Sequence, residues 1–289
     1  MKQIRPQTRK LGRRLAPFSL ALPLLLGGCG IFGGKPDTES AKPAEVSQNL
    51  PPAGTLYTNG LAYLRKDENK KAADTFNEIE VNYPYSTWAT HAELLHGFAE
   101  YRRQDFVAAI GSINRFIELH PASPDIAYAY YLRSLCYYEQ IEGVQRDQTA
   151  TLQAAQALQD VVTRFPDSAY ARDARIKLRL VQNRLAGHDM SIGRFYERQH
   201  LYGAAIGRYQ SVIEDYQTTT YAPEALERLV ECYLDLGLVS EARRSAAVLG
   251  YNYPGSRWYR LAYDKLRAHD LLSGRAPRKK SGGFLFGLL

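Results

Sequence analysis

The sequence predicts an all-α solenoid of five helix-turn-helix repeats closed by a capping helix. Three observations carry this. From Gly54 to Leu272 apolar residues recur at helical spacing, as in Leu152, Ala155, Leu158 and Val162, with Gln159 the polar exception. A short phrase then recurs: Asn82-Tyr83-Pro84-Tyr85-Ser86, Leu119-His120-Pro121-Ala122-Ser123, Arg164-Phe165-Pro166-Asp167-Ser168, Asp215-Tyr216-Gln217-Thr218-Thr219 and, after Tyr251, Asn252-Tyr253-Pro254-Gly255-Ser256. Its third position, a proline in all but the fourth copy, advances by 37, 45, 51 and 37 residues, a period that demands a repeat reading. Finally, each interval holds small and large residues at matching places. Proline ends one helix, and the Ser, Thr or Asp after it is suited to capping the next.

The elements before the repeats read as an export leader and a tether. Lys2, Arg5, Arg9, Lys10, Arg13 and Arg14 form a basic n-region, and Leu15 to Leu26 is an apolar h-region broken by Pro17 and Pro23. That stretch is too short for a spanning helix, which needs about 20 apolar residues, and it ends at small residues as a cleavage site does. Leu26-Gly27-Gly28-Cys29 has the form of a bacterial lipobox. Residues 1–28 are therefore expected to be a cleaved signal peptide, and Cys29 to carry an S-diacylglycerol group and an N-acyl chain, a firm anchor where one chain is marginal. The alternative is an ordinary secretory signal with a chance cysteine. Gly30 stands where inner-membrane lipoproteins tend to carry Asp, which favours the outer membrane and its periplasmic face. Residues 29–53, rich in Gly, Pro, Ser and Ala, read as a flexible tether.

The tetratricopeptide pattern fits the region 54–272. Repeat 1 places Leu56, Gly60, Tyr63, Ala72, Phe76 and Pro84; repeat 2 places Gly97, Ala109, Ile113, Phe116 and Pro121. Repeat 3 has Ser134, Tyr137, Ala154, Leu158 and Pro166, with an insertion around Gln140 to Thr149; repeat 4 has Gly193, Tyr196, Ala205, Tyr209 and Val212; repeat 5 has Leu226, Tyr233, Ala242, Leu249 and Pro254. Small residues let paired helices approach and the aromatics fill the space beside them. Tyr170 to Leu185 is an extra helical stretch, and Arg257 to Leu271 is the cap. Residues 273–289 are a separate tail, basic and then Phe/Leu-rich. It is open between a second weak lipid contact and a segment folding into an apolar groove.

Composition narrows the function. The formal charge is +7, but six basic residues and no acids lie in residues 1–28, so the mature chain has 31 basic and 30 acidic residues. A surface this close to neutral lacks the footprint of a nucleic-acid binder. Cys136 and Cys232 lie in different helical units, which favours buried free thiols over a bridge. No HExxH, CxxC, GxSxG or phosphate loop is present, and no metal or cofactor set is found; the expectation is a protein that is not an enzyme.

What remains is surface. Groove-lining positions of the first helices of repeats 1 to 3 carry Tyr57, Leu61, Leu64 and Arg65, then Leu94, Phe98, Tyr101 and Arg102, then Tyr128, Tyr131, Leu135 and Tyr138. This aromatic groove with arginine at its edge suits an extended aromatic peptide with a carboxylate; packing between repeats is the competing role for the tyrosines. Repeat 4 places Met190, Arg194, Glu197 and Arg198 at these positions, and repeat 5 Glu224, Glu227, Glu231, Leu234 and Asp235. The halves differ in chemistry, which implies two binding tasks, although the acidic run alone reads as a solvated helix face.

A lipobox, a tether and five irregularly spaced repeats resemble the BamD (ComL-like) family of β-barrel assembly lipoproteins. The resemblance is carried by Tyr57-Thr58-Asn59-Gly60 with Lys71-Ala72-Ala73-Asp74-Thr75-Phe76, by Tyr83-Pro84-Tyr85-Ser86 and by Gly193-Arg194-Phe195-Tyr196-Glu197-Arg198. It implies a scaffold that docks on the POTRA region of the barrel protein BamA through its C-terminal repeats, alongside other Bam lipoproteins. It further implies N-terminal repeats that meet unfolded outer-membrane proteins. On that basis Arg194, Glu197, Arg198, Arg243 and Arg244 are expected at the BamA contact. Tyr57, Leu61, Leu94, Phe98, Tyr101, Tyr128 and Tyr131 are expected in the precursor groove. The alternative is a tetratricopeptide lipoprotein coordinating cell-wall synthesis or division.

Overall fold

The computed structural model describes residues 50–269 and Leu271. The segment expected to be a signal peptide, Cys29 with its expected lipid, nearly all of the expected tether and the 273–289 tail lie outside the described residues. Within them, all regular structure is helical. Five pairs follow in order: α1 (Ala53–Arg65) with α2 (Asn69–Asn82), α3 (Ala89–Arg102) with α4 (Phe106–Leu119), α5 (Ile126–Glu139) with α6 (Thr149–Arg164), the end of α7 (Ala169–Arg198) with α8 (Tyr202–Asp215), and α9 (Ala222–Asp235) with α10 (Val239–Asn252). The cap is α11 (Arg257–Ala268). Each helix packs on its neighbours in the chain, which makes a tetratricopeptide solenoid. The first helices of successive pairs also touch: α3 meets α5, α5 meets α7, and α9 meets α11. They thus share one side and form a common surface.

The small-to-large pairing sets the spacing within each hairpin. Gly193 faces the ring of fully buried Tyr209, and a Cβ there would lie 2.5 Å from Cε1. Gly60 meets Phe76 in the same way at 2.6 Å. Ser134 and Leu158, both fully buried, repeat the arrangement across the insertion in the third pair.

Both kinds of turn recur. The first helix of repeats 1, 2, 4 and 5 ends through a left-handed residue: Asp67, Gln104, His200 and Gly237. Each is followed by an N–H bonded back to the helix, as in Glu68 to the Tyr63 carbonyl and Leu238 to Tyr233, a Schellman closure. Between repeats, the turn closes by Ser86 N–H to the Tyr83 carbonyl, and likewise Ser123 to His120, Ser168 to Phe165 and Ser256 to Tyr253. The fourth copy closes identically without its proline, with Thr219 bonded to Tyr216 through both N–H and hydroxyl. Only Ser168 and Ser256 also cap the next helix through their hydroxyls; α3 and α5 start further along, at Ala89 and Ile126.

One expectation needs refinement. The extra stretch from Tyr170 is continuous with the first helix of repeat 4, forming the single 30-residue α7. The insertion docks on its flank. Arg184 donates to the Glu142 carbonyl and His188 Nδ1 to the Val144 carbonyl at 2.6 Å. Cys136 and Cys232 are both buried and free, in separate repeats, with burial pushing each thiol up to about 12.

Candidate functional site

The first helices display two chemically different surfaces. On α1, α3 and α5 the predicted groove residues form ring pairs. Tyr57 packs edge-on against Phe76 and lies 4.8 Å from the Trp88 ring. Phe98 and Tyr101 stack at 6.5 Å, and Tyr101 continues to Phe106. Tyr128 and Tyr131 both meet Tyr170 of α7, at 5.5 and 5.3 Å. These side chains and Leu61 are half-buried, so each offers a ring edge or face while its body is held. Leu94 departs from the expectation. At 6 % exposure it belongs to the core between α3, α4 and α5, because its position on α3 faces Ile113 and Leu132 rather than the open side.

Charge at this surface is sparse and paired. The Arg102 guanidinium bonds to Asp67 and lies 5.8 Å from the Phe98 ring centroid. Tyr131 donates to Asp173 Oδ2 at 2.6 Å. Burial pushes the Tyr128 hydroxyl up to about 12, so it stays a neutral donor. Further along, Tyr138, Ile141, Leu180, Val181 and Arg184 line a shallow cavity of about 260 Å³. Lys177 stands 4.9 Å from the Tyr138 ring. The repeat pattern registered Tyr138 but not the cavity, because the inserted loop and α7 supply the rest of its wall from outside the repeat period.

On α7, α9 and α11 the surface becomes an ion network. Arg228 reaches Glu197 at 3.2 Å and Glu231 at 3.1 Å, with Glu224 and Glu227 within 4 Å. Arg194 bonds Glu224 at 2.7 Å, and Lys265 bonds both Glu227 and Glu231 at 2.7 Å. Tyr209 donates to Glu197 at 2.5 Å. The acidic run is therefore not a solvated face: Glu224 and Glu227 are 9 % and 2 % exposed. Burial raises the Glu227 pKa against the pull of Lys265. For Lys265, burial would lower the pKa, but its bonds to Glu227 and Glu231 outweigh that and raise it.

This network divides the five residues expected at a partner contact. Arg194 and Glu197 are committed to internal pairs. Arg198 is exposed at the end of α7 and makes no ion pair among the described residues. Arg243 donates to the Leu271 carbonyl, tying α10 to the chain after the cap, and Arg244 is exposed beside Glu241. Exposed apolar residues that the repeat pattern did not single out flank Arg198 in the chain, Phe195 and Leu201, and recur on the matching turn of repeat 5, Leu236 and Leu238. His200 Nδ1 lies 2.9 Å from the Tyr202 hydroxyl, and the Asp235 carboxylate of the repeat-5 turn, after desolvation, helps raise that hydroxyl's pKa. An arginine among exposed aliphatic and aromatic side chains is the composition of a protein-docking patch.

A histidine-centred cluster joins α2, α3 and α4. His96 sits between Glu80 at 2.8 Å and Glu100 at 3.3 Å, and Ser112 donates to Glu100. Arg115 completes the cluster on Glu80. Burial alone would lower the His96 pKa; the two carboxylates outweigh it and raise it to about 9. The imidazolium joins α2 to α3, a role the scattered histidines did not disclose in the sequence. No described helix is long and apolar enough to cross a membrane.

Comparison with known proteins meets this geometry. Residues 51–249 match the family model YfiO, described as an outer membrane lipoprotein. The chain is 46 % identical over 241 residues to the outer membrane protein assembly factor BamD of Caulobacter vibrioides, covering 83 % of this chain and 79 % of that one. It is 43 % identical over 250 residues to BamD of Rickettsia prowazekii, covering 86 % and 95 %. It is 31 % identical over 249 residues to BamD of Neisseria meningitidis serogroup A, covering 83 % and 91 %. With the family model spanning residues 51–249 and 46 % identity to a relative over 83 % of the chain, this chain belongs to the BamD (YfiO) family of outer-membrane protein assembly factors.

Proposed function

We propose that this chain is a non-enzymatic, lipid-anchored scaffold of the outer-membrane β-barrel assembly machinery. It docks on the POTRA region of the barrel component through its C-terminal repeats and receives unfolded barrel precursors on its N-terminal repeats. The observation that carries this is 46 % identity to an assembly factor over 83 % of the chain. The two surfaces support the division of labour. Arg198, Phe195, Leu201, Leu236 and Leu238 form the exposed edge of a block whose inner face is locked by ion pairs, a rigid platform for a folded partner. Half-buried rings on α1, α3 and α5 suit an extended segment bearing aromatic side chains. Anchoring through an acylated Cys29 at the periplasmic face belongs to the same reading. The relatives named above are assembly factors, which gives the cell-wall alternative no support.

The test is capture of the full chain through an internal tag from mildly solubilised outer membranes. A near-stoichiometric POTRA-bearing barrel protein is the expected companion. Cell-wall enzymes with no barrel protein would overturn the reading.

A further inference from the structure

We propose that the turn between the first two repeats, residues 81–90, seats on the lipid surface as an aromatic contact beside the anchor. This rests on the anchor reading of Cys29. Val81, Tyr85 and Trp88 are 68 %, 100 % and 42 % exposed. No Asp, Glu, Lys or Arg occurs in residues 81–90, whereas each later turn of this kind carries one or more: Asp125, Arg164 with Asp167, Asp215 and Arg257. Residues 47–64, which enter and form α1, are also uncharged.

The chain arrives at this same tip. Tyr83 donates its hydroxyl proton to the Pro51 carbonyl at 3.0 Å, and Gly54 lies under the Trp88 indole, with room for a Cβ only 3.4 Å from Nε1. Trp88 is also packed against Tyr57, so its ring is held before any lipid is met. Cys29 precedes Pro51 by 22 peptide steps, which span at most about 75 Å even when fully extended. An acylated Cys29 therefore limits how far this tip can stand from the bilayer, and the tether turns a weak contact into an intramolecular one. Tryptophan and tyrosine favour the bilayer–water boundary because the ring body is apolar while the N–H or O–H stays hydrated. An uncharged tip makes that contact without demanding anionic lipid.

The sequence has two tryptophans, which makes the test direct. The full-length lipidated protein is reconstituted into phosphatidylcholine vesicles with brominated acyl chains. Trp258→Phe reports on Trp88 alone and Trp88→Phe on Trp258 alone, with melting curves establishing that both variants fold. The expected result is that the Trp88 emission is more than halved by bromine while that of Trp258 in the cap is not. In the Trp258→Phe background, Tyr85→Asp at the fully exposed position should restore much of the Trp88 emission. Vesicles that carry the protein on flotation but leave Trp88 unquenched would overturn the seat and leave the anchor standing. Protein that does not float with the vesicles would overturn the anchor reading, and the seat with it.

Discussion

The two halves of the solenoid are stabilised in different ways. From α1 to the first part of α7 the buried apolar residues fall into separate clusters: one around Phe76 and Ile79, one around Ile113 and Phe116, one around Leu158 and Val181. From the end of α7 to α11 they form one continuous cluster, running from Ala186 through Tyr209 and Leu229 to Leu266. The half-buried Glu197, Arg228 and Lys265 and the buried Glu224 and Glu227 then tie three of its helices together on the inner side. The N-terminal half instead leaves its rings half-exposed between modules that each contact only their neighbours. In a repeat protein such modules open separately, whereas a shared core opens as a block. On the proposed function, one repeat would thus build both a mouldable receiving surface and a rigid docking platform.

The largest effects should come from filling the glycine contacts. Gly193→Leu forces a side chain into Tyr209, whose ring is enclosed and whose hydroxyl is held by Glu197. A loss of about 3 kcal/mol or more is expected, and hydrogen exchange should show α7 to α11 losing protection together. Gly60→Leu makes a similar clash with Phe76, but the loss of protection should stay within α1 to α3. A uniform loss across the chain in both variants would remove the distinction between modules and block.

Next comes the ion network. Arg228→Ala strands four carboxylates that Arg194 and Lys265 alone must balance, two of them buried. It should cost about 2–3 kcal/mol in thermal or urea unfolding, allowing for partial solvent access. Arg102→Ala breaks an exposed pair with Asp67 and should cost under about 1 kcal/mol.

A pH dependence of comparable size belongs to the N-terminal half. The folded pKa of His96 is raised from 6.5 to about 9, so its contribution is fully present below pH 6.5 and is lost as the pH rises through 9. The stability difference between the parent and His96→Gln should therefore shrink by about 3 kcal/mol at most across that window. A difference that is flat from pH 6 to pH 9.5 would contradict a charged His96 bridging Glu80 and Glu100. Phe98→Ala and Tyr131→Ala should each weaken binding of an aromatic-ended barrel peptide about tenfold, with the barrel partner still captured.

The repeats were readable because small and large residues at Gly60 and Phe76, or Gly193 and Tyr209, keep a fixed separation in the chain. Repeat 5 kept the hairpin while exchanging the sizes: Val230 and Ala246 occupy those positions, both buried in one cluster. The left-handed turns were illegible because Asp67, Gln104 and His200 hold a conformation that only Gly237 advertises. The aromatic groove was legible as a face, but the cover by Tyr170 was not, since α7 comes from outside the repeat period. Arg194 and Arg198 are four residues apart on one helix and look equivalent in sequence. Only the position of Glu224 separates the paired residue from the free one. The ion network joins residues from Arg194 to Lys265, a distance over which no local pattern operates.

A crossed binding measurement with two variants of the full chain tests the separation of tasks between the two halves most directly. Arg198→Glu alters an exposed side chain with no ionic partner among the described residues and should leave the melting temperature near that of the parent. It should abolish capture of the POTRA-bearing protein and keep affinity for an aromatic-ended barrel peptide. The double variant Phe98→Ala with Tyr131→Ala should keep the first and lose the second. If either variant, still folded, lost both activities, or if Arg198→Glu captured its partner undiminished, the assignment of separate tasks to the two halves would be wrong.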